Sequence, residues 1–165
     1  MDAEKIGGIM VDGYGVFYRN TPNATLSAVR ADEIDGFTAA LDSWVDAVMA
    51  DQASFKAATS LAMLNEVSRM VDMDTSRDLV HYVTLVNKEP SVSQDVKAAG
   101  DKLVEFINSR LLIKKFSTVD DNYGLSIYIP DLTYDSATYE TLGFSSSSKW
   151  GEFVNAMMRE RLNGR

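Results

Sequence analysis

Apolar side chains recur at intervals of three and four residues over much of this chain, a spacing that predicts amphipathic helices. The pattern is strongest from Asp32 onward, continues less regularly over residues 53–70, and returns in a short helix that ends before Pro90. Another helix is predicted from Val92 to Arg110. The apolar residues from which these helices are predicted are Ile34, Phe37, Leu41, Trp44, Val45, Val48, Phe55, Ala58, Ala62, Val67, Leu79, Tyr82, Val83, Val86, Val96, Ala99, Leu103, Phe106 and Ile107.

Three segments have the composition or the alternation of β-strands. Residues 24–29 form a predicted short strand, and residues 112–117 and 125–129 are predicted to form a strand pair. In the last segment every second side chain is apolar and is expected to face one way: Leu125, Ile127 and Ile129.

Two further helices are predicted at the ends of the chain. The last covers 149–162, and serines 145–148 form the loop that leads to its N-cap. We expect its apolar side chains to be buried, with the first two against strand 125–129: Trp150, Phe153, Val154 and Met157. The apolar spacing over residues 3–18 predicts a first helix, whose apolar residues are Ile6, Ile9, Met10 and Phe17. Four glycines in this segment weaken the prediction.

The order of these elements predicts an α/β or α+β fold with a single domain over residues 1–165. Its helices would pack on a small sheet that includes strands near 25–29, 112–117 and 125–129. The net charge of −8 argues against nucleic acid or an anionic membrane as a partner. Nowhere is there a run of roughly eighteen apolar residues, the length of a membrane span.

The chain contains no cysteine, which excludes disulfides, thiolate zinc sites and thiol chemistry within it. Its first eight residues have neither the basic nor the apolar region of a signal peptide. The simplest interpretation is a chain that begins inside a larger gene product. A stand-alone cytosolic protein is the competing interpretation, and composition does not separate the two.

One motif resembles a known family. The sequence Tyr-Gly-Leu-Ser-Ile-Tyr-Ile-Pro at 123–130 is followed by a Tyr-x-x-Leu-x-Phe pattern at 139–144 and by Trp150 and Phe153. Together they resemble the C-terminal part of clostripain-like cysteine peptidases. The Thr-Leu-Ser-Ala-Val strand at 25–29 and the helix start at 78–82 are similar to further landmarks of that family, in the same order.

The resemblance implies a caspase-like fold, with a mostly parallel sheet between helices, and a parent enzyme that cleaves after basic residues with a Cys/His dyad. The family's His-Gly and Asp-x-Cys contexts do not occur in this chain, so both would precede residue 1. The resemblance therefore implies a non-catalytic C-terminal part and assigns no catalytic, cofactor-binding or metal-binding residue. It also implies a bacterial parent, exported or at the cell surface, for which calcium dependence is common.

The partners implied are the catalytic half of the same protein and, through the parent only, a peptide substrate. A homodimer of the isolated chain is a further expectation. The alternative is an independent binding module of an exported bacterial protein, which would need an exposed aromatic patch. Such a patch could be built from Tyr123, Tyr128, Tyr134 and Tyr139, although their packing against Trp150 is the competing interpretation.

Few residues suggest chemistry of their own. His81, the only histidine, has no cysteine or activated serine to serve, so a structural role near a helix start is natural. The aspartates at 72, 74 and 78 could bind calcium, but helix capping by Asp72, Ser76 or Asp78 explains them as well. Asn23-Ala24-Thr25 matches a glycosylation acceptor only by pattern. Lys114-Lys115 suggests edge-strand protection, and the eight methionines suggest gap-filling in the core, Met157 and Met158 among them.

Overall fold

The computed structural model describes residues 6–12, 25–62, 76–117, 125–129 and 143–163, which form an α+β fold of helices beside two small antiparallel sheets. The strands are β1 (Ile6–Asp12), β2 (Thr25–Arg30), β3 (Ser76–Asp78), β4 (Leu112–Ser117) and β5 (Ser126–Tyr128). The helices are α1 (Ile34–Ala50), α2 (Gln52–Leu61), α3 (Leu79–Lys88), α4 (Gln94–Phe106), α5 (Gly143–Ser147) and α6 (Trp150–Asn163). A 3-10 turn (Ala31–Glu33) precedes α1, and a π-helical turn (Ile107–Leu111) links α4 to β4.

The first sheet has three strands in the order β1-β2-β4, with both neighbouring pairs antiparallel. Between β1 and β2 the register runs from Ile6 opposite Arg30 to Asp12 opposite Thr25, with one extra residue, Gly7, in β1. The predicted strands at 25–29 and 112–117 are therefore confirmed. Because β4 lies at one edge among the described strands, its Lys114-Lys115 pair stands where charged residues discourage further strand pairing.

The predicted helix over 3–18 is wrong in the part that the structure describes, where residues 6–12 form β1. Ile6, Ile9 and Met10 fit a helical face, but the spacing of three apolar residues does not exclude a strand. Adjacent glycines at 7 and 8 disfavour a helix, whereas antiparallel pairing with β2 satisfies the backbone of this segment along one edge. Residues 3–5 and 13–18 lie outside the described residues.

The second sheet pairs β3 with β5, also antiparallel. The expected single sheet and the expected pairing of 112–117 with 125–129 are therefore both wrong, because each of these strands pairs with a strand far earlier in the chain. The mostly parallel sheet that the resemblance implied is also not found among the described strands. Alternation of side chains indicates that a segment is a strand, but it carries no information about the partner.

The core lies between the helices, where most of the predicted apolar residues are buried, although Ile34 at the start of α1 is 40% exposed. Trp44 of α1 is fully buried and contacts Tyr82 of α3 and Phe153 of α6 edge-on, with ring centroids 5.8 and 5.7 Å apart. The helices predicted over 53–70 and 92–110 are confirmed over α2 and α4, while residues 63–70 lie outside the described part. Among the described helices, none is both long enough and apolar enough to cross a bilayer.

Helices α3 and α4 approach each other closely at Gly100. A Cβ atom on Gly100 would lie 2.5 Å from Asn87 Oδ1 and 2.8 Å from Asn87 Nδ2. The Asn87 amide donates hydrogen bonds to Lys97 O, at 3.0 Å, and to Asp101 Oδ1, at 2.8 Å. The absence of a side chain at Gly100 thus lets Asn87 bridge the two helices.

The start of α1 has no side-chain cap. Neither Arg30 nor Glu33, at the two N-cap positions, makes a side-chain capping hydrogen bond. The carboxylates there form ion pairs instead, Asp32 with Arg30 and Glu33 with Arg110, each at 2.8 Å. Carboxylates near a helix N-terminus still favour the helix through its dipole.

Serines 145–148, predicted to be a loop, are mostly helical because α5 ends at Ser147. The hydroxyl groups of Ser146, Ser147 and Ser148 donate to backbone carbonyl oxygens three or four residues earlier, which satisfies these hydroxyls at a short helix. Ser148 donates to Phe144 O at 2.7 Å, and its hydroxyl accepts from Trp150 N at 3.4 Å. Because α6 begins at Trp150 and Phe153 N donates to Lys149 O, the N-cap position is Lys149, one residue after the predicted Ser148.

Helix α2 begins at a carboxylate cap that should give stability a specific pH dependence. Ser54 N donates to Asp51 Oδ1 at 2.7 Å, and hydrogen bonding by the Ser54 side chain and backbone lowers the pKa of Asp51. The cap's contribution is complete above the unfolded pKa of about 3.9 and is lost as the pH falls through the lower folded pKa. We expect the melting temperature of the unchanged chain to fall more steeply than that of Asp51→Asn between about pH 5 and pH 2.

The asparagine variant is a suitable comparison because its side-chain oxygen caps a helix equally well without a titrating charge. All other carboxyl groups are common to both proteins, so the difference between the two curves reports Asp51. Parallel curves would contradict the assignment.

Candidate functional site

The second sheet joins three distant parts of the chain. Ser76, Arg77 and Asp78 of β3 lie opposite Tyr128, Ile127 and Ser126 of β5. The pairing continues into α3, because Leu79 N donates to Leu125 O at 2.9 Å. We call residues 76–79, residues 125–129 and Trp150 the β3–β5 seam.

The indole of Trp150 fastens α6 to the β3–β5 seam. Trp150 is fully buried, and its Nε1–H donates to Tyr128 O at 2.8 Å. Its ring lies 5.2 Å from that of Phe153, which is also fully buried. Leu125, Ile127 and Ile129 are buried as the alternation predicted. The predicted contact between the last helix and strand 125–129 is therefore confirmed for Trp150, whereas the rings that Phe153 contacts are those of Trp44, Phe55 and Trp150.

Asp78 ends β3 and caps α3. Its carboxylate is fully buried and accepts a hydrogen bond from His81 N at 2.9 Å. This geometry satisfies one of the backbone N–H groups that a helix start leaves without an intrahelical acceptor. Of the two alternatives for Asp78, capping and calcium binding, the structure shows capping.

Asp72 and Asp74 lie outside the described residues. Within the described part of the chain, no three His, Asp or Glu side chains come together as metal ligands. Ser76 belongs to β3 and the N-cap of α3 is Asp78, so the capping predicted as an alternative for Ser76 is not found.

His81 lies in the first turn of α3 and is half-buried. The predicted position near a helix start is confirmed. Its backbone, through the bond to Asp78, is part of the cap that starts the helix.

Arg77 is the residue of this region that sequence reasoning missed. It is 6% exposed, and its Nε–H donates to Ala62 O, the residue that ends α2, at 3.0 Å. A cation at a helix C-terminus interacts favourably with the carbonyl oxygens there. Arg77 therefore ties the end of α2 to the β3–β5 seam. The one signal in the sequence is an Arg-Asp pair directly before an apolar helix.

Lys149 makes a second connection, from the α5–α6 junction to α1. Its backbone N–H donates to Asp42 Oδ1 at 2.7 Å, and its ammonium group pairs with Asp46. The hydrogen bond to Asp46, supported by the charges of Asp46 and Asp42, raises the pKa of Lys149. This pair is solvent-exposed, so it positions Trp150 more than it stabilises the fold.

Other predicted residues have plain outcomes. Met157 and Met158 are buried, as expected of core methionines. Tyr128 is half-buried, whereas Tyr123, Tyr134 and Tyr139 lie outside the described residues. Of the glycosylation pattern only Thr25 is described, at the start of β2.

The Tyr82 phenol belongs to the core and not to a surface. Burial raises its pKa strongly, and its hydroxyl donates to Ala58 O at 2.9 Å. The group therefore stays protonated at neutral pH and acts as a hydrogen-bond donor between α3 and α2.

An open groove of about 470 Å³ lies between α2 and the turn that precedes α4. Lys56 and Glu89 give its lining charges of both signs, and its apolar lining residues are Ala53, Ala57 and Leu61. Small side chains and two opposite surface charges specify no ligand class. The β3–β5 seam is thus the better-defined candidate functional site. Its interactions hold strands and helices together.

Comparison with protein-family models, with curated proteins and with solved structures finds no match to this chain.

Proposed function

We propose that this chain is the non-catalytic C-terminal part of a clostripain-like cysteine endopeptidase, whose parent cleaves peptides after basic residues. Its task would be to support the parent's catalytic sheet by covering strand edges and apolar surface that are otherwise exposed. The partner is the catalytic half of the same protein, and peptide substrate is reached only through that half. The parent is proposed to be bacterial and exported or at the cell surface.

The observation that carries this proposal is the meeting of sequence landmarks at the β3–β5 seam. The helix start at 78–82, the strand 125–129 and the aromatic residues of α6 are separate motifs in the sequence. They are joined by two hydrogen bonds, Leu79 N to Leu125 O and Trp150 Nε1 to Tyr128 O. Because these motifs contact each other in one packed unit, a resemblance that extends over several short segments in a fixed order is expected.

The alternative function, an independent binding module, requires an exposed aromatic patch. Among the described residues, the large apolar side chains that are exposed are not aromatic: Ile34, Met49, Ile113 and Leu162. Tyr128 offers its backbone oxygen to Trp150 and is itself half-buried. No observation in the described part of the chain therefore favours the binding module.

We expect the purified chain to have no peptidase activity. The sequence has no cysteine and a single histidine, and that histidine lies at a helix start. Fluorogenic peptides that end in arginine or lysine should be hydrolysed at the rate of buffer alone. The control is His81→Ala, which should give the same rate. Activity that survives repurification and disappears in His81→Ala would contradict the prediction.

The decisive experiment concerns the coding sequence upstream of the codon for Met1. The proposal expects an open frame with a His-Gly context followed by an Asp-x-Cys context. The longer product should cleave basic peptides, and substituting its predicted nucleophilic cysteine should abolish cleavage. Trp150→Ala in the same product should reduce the yield of active enzyme. An in-frame stop codon directly upstream of Met1 would overturn the proposal.

A further inference from the structure

The two edges of the three-stranded sheet differ in charge. At one edge, β4 carries Lys114 and Lys115 in its centre. At the other edge, β1 has no charged residue from Ile6 to Val11, and Asp12 is its last residue. A central lysine pair discourages another strand from pairing, whereas an uncharged strand does not. Within the described residues, β1 is paired along one edge only, by β2.

We propose that the outer edge of β1 is a self-association surface, at which β1 pairs antiparallel with β1 of a second copy. The product is a continuous sheet of six strands about a twofold axis, in the order β4-β2-β1-β1-β2-β4. This pairing satisfies the outer backbone groups of both copies of β1 without a new charged contact. The inference does not depend on the proposed function, because it rests on the strand order and on the charges of the two edges.

A second copy fits this edge better than a partner of opposite charge. The chain carries a net charge of −8, so its copies repel over most of their surface. Stable association must therefore use a surface with little charge, and β1 has that property over six consecutive residues. An acidic or basic partner would find nothing on those six residues to recognise.

The regular part of β1 is also compatible with itself in antiparallel register. The extra residue at Gly7 leaves Gly8–Asp12 in regular pairing with β2. A twofold axis at Met10 places Gly8 opposite Asp12 of the second copy, and Ile9 opposite Val11. Asp12 is therefore opposite a glycine in this register, and no two residues of like charge are opposite each other.

The test is the oligomeric state of the full chain, measured by sedimentation equilibrium over a wide range of concentration. We expect twice the chain mass of 18.2 kDa at high concentration and the single mass on dilution. Met10→Lys and Val11→Lys should each shift the protein to the single mass, because the twofold pairing brings the new lysines of both copies close together. The matched control is Ile113→Lys on β4, which should remain dimeric.

Successive strand residues face opposite sides of a sheet, so at most one of the two β1 lysines can enter the interior. Circular dichroism identifies the variant that stays folded. Hydrogen exchange gives a second readout that needs no variant. Residues 6–12 should become more protected as the concentration of the unchanged chain rises, while residues 32–50 should not change. An unchanged chain that is monomeric throughout, or a dimer that persists in every β1 variant that stays folded, would overturn the proposal.

Discussion

Trp150→Ala is expected to lower the free energy of unfolding by about 3–5 kcal/mol, the usual cost of removing a large buried aromatic side chain. The substitution leaves a cavity beside Phe153 and removes the donor that Tyr128 O accepts from. Both losses fall at the junction of α6 with the β3–β5 seam. Urea denaturation followed by circular dichroism measures the change without relying on tryptophan fluorescence.

Two variants make this measurement specific. Trp150→Phe keeps much of the ring volume but loses the indole N–H, so we expect an intermediate loss of stability. Leu162→Ala lies on the same helix at a side chain that is 63% exposed, and it should change stability by no more than about 0.5 kcal/mol. A midpoint for Trp150→Ala equal to that of Leu162→Ala would mean that α6 contributes little to the fold.

Gly100→Ala is expected to lower the free energy of unfolding by about 1–3 kcal/mol, although alanine is the better helix former by about 1 kcal/mol. The new methyl group would overlap the Asn87 amide, whose Oδ1 and Nδ2 lie 2.5 and 2.8 Å from its position. Asn87 would have to move and would lose its hydrogen bonds to Lys97 O and Asp101 Oδ1.

The matched control is the same substitution at Gly143, where the new methyl group would meet nothing within 4 Å. Gly143→Ala should therefore be neutral or slightly stabilising. In the Asn87→Ala background, Gly100→Ala should cost much less, because the amide that it displaces is absent. Equal costs in the two backgrounds would show that Asn87 is not the reason for the glycine.

The sequence predicts the helices well because the residues that a helix buries recur every three or four positions within the helix itself. Trp44, Leu103 and Phe153 are each buried on the apolar stripe of their own helix, as their spacing indicates. The strand at 6–12 is different, because three apolar residues fit a helical face while the preference for β2 comes from pairing across the sheet. Tertiary pairing decides such a segment.

The candidate site is predictable only in part, for a related reason. That Trp150 packs on strand 125–129 follows from two adjacent apolar patterns. That this strand pairs with residues 76–78 does not, since β3 has three residues and no alternation to detect. The role of Arg77 depends on where the C-terminus of α2 lies in the fold, and the sequence around Arg77 does not indicate that position.

The strand pairs of the two sheets also span the same helices in the sequence. Both β2 and β3 precede α3 and α4, whereas their partners β4 and β5 follow those helices. A backbone cleavage anywhere between Leu79 and Leu111 would therefore put the partner strands of both sheets on different fragments. The pairs β2–β4 and β3–β5 form only after a long loop is closed, and both loops contain α3 and α4. Proteolytic fragments cut within α3 or α4 would have to reassociate before β2 could pair with β4 or β3 with β5, whereas β1 and β2 stay on one fragment.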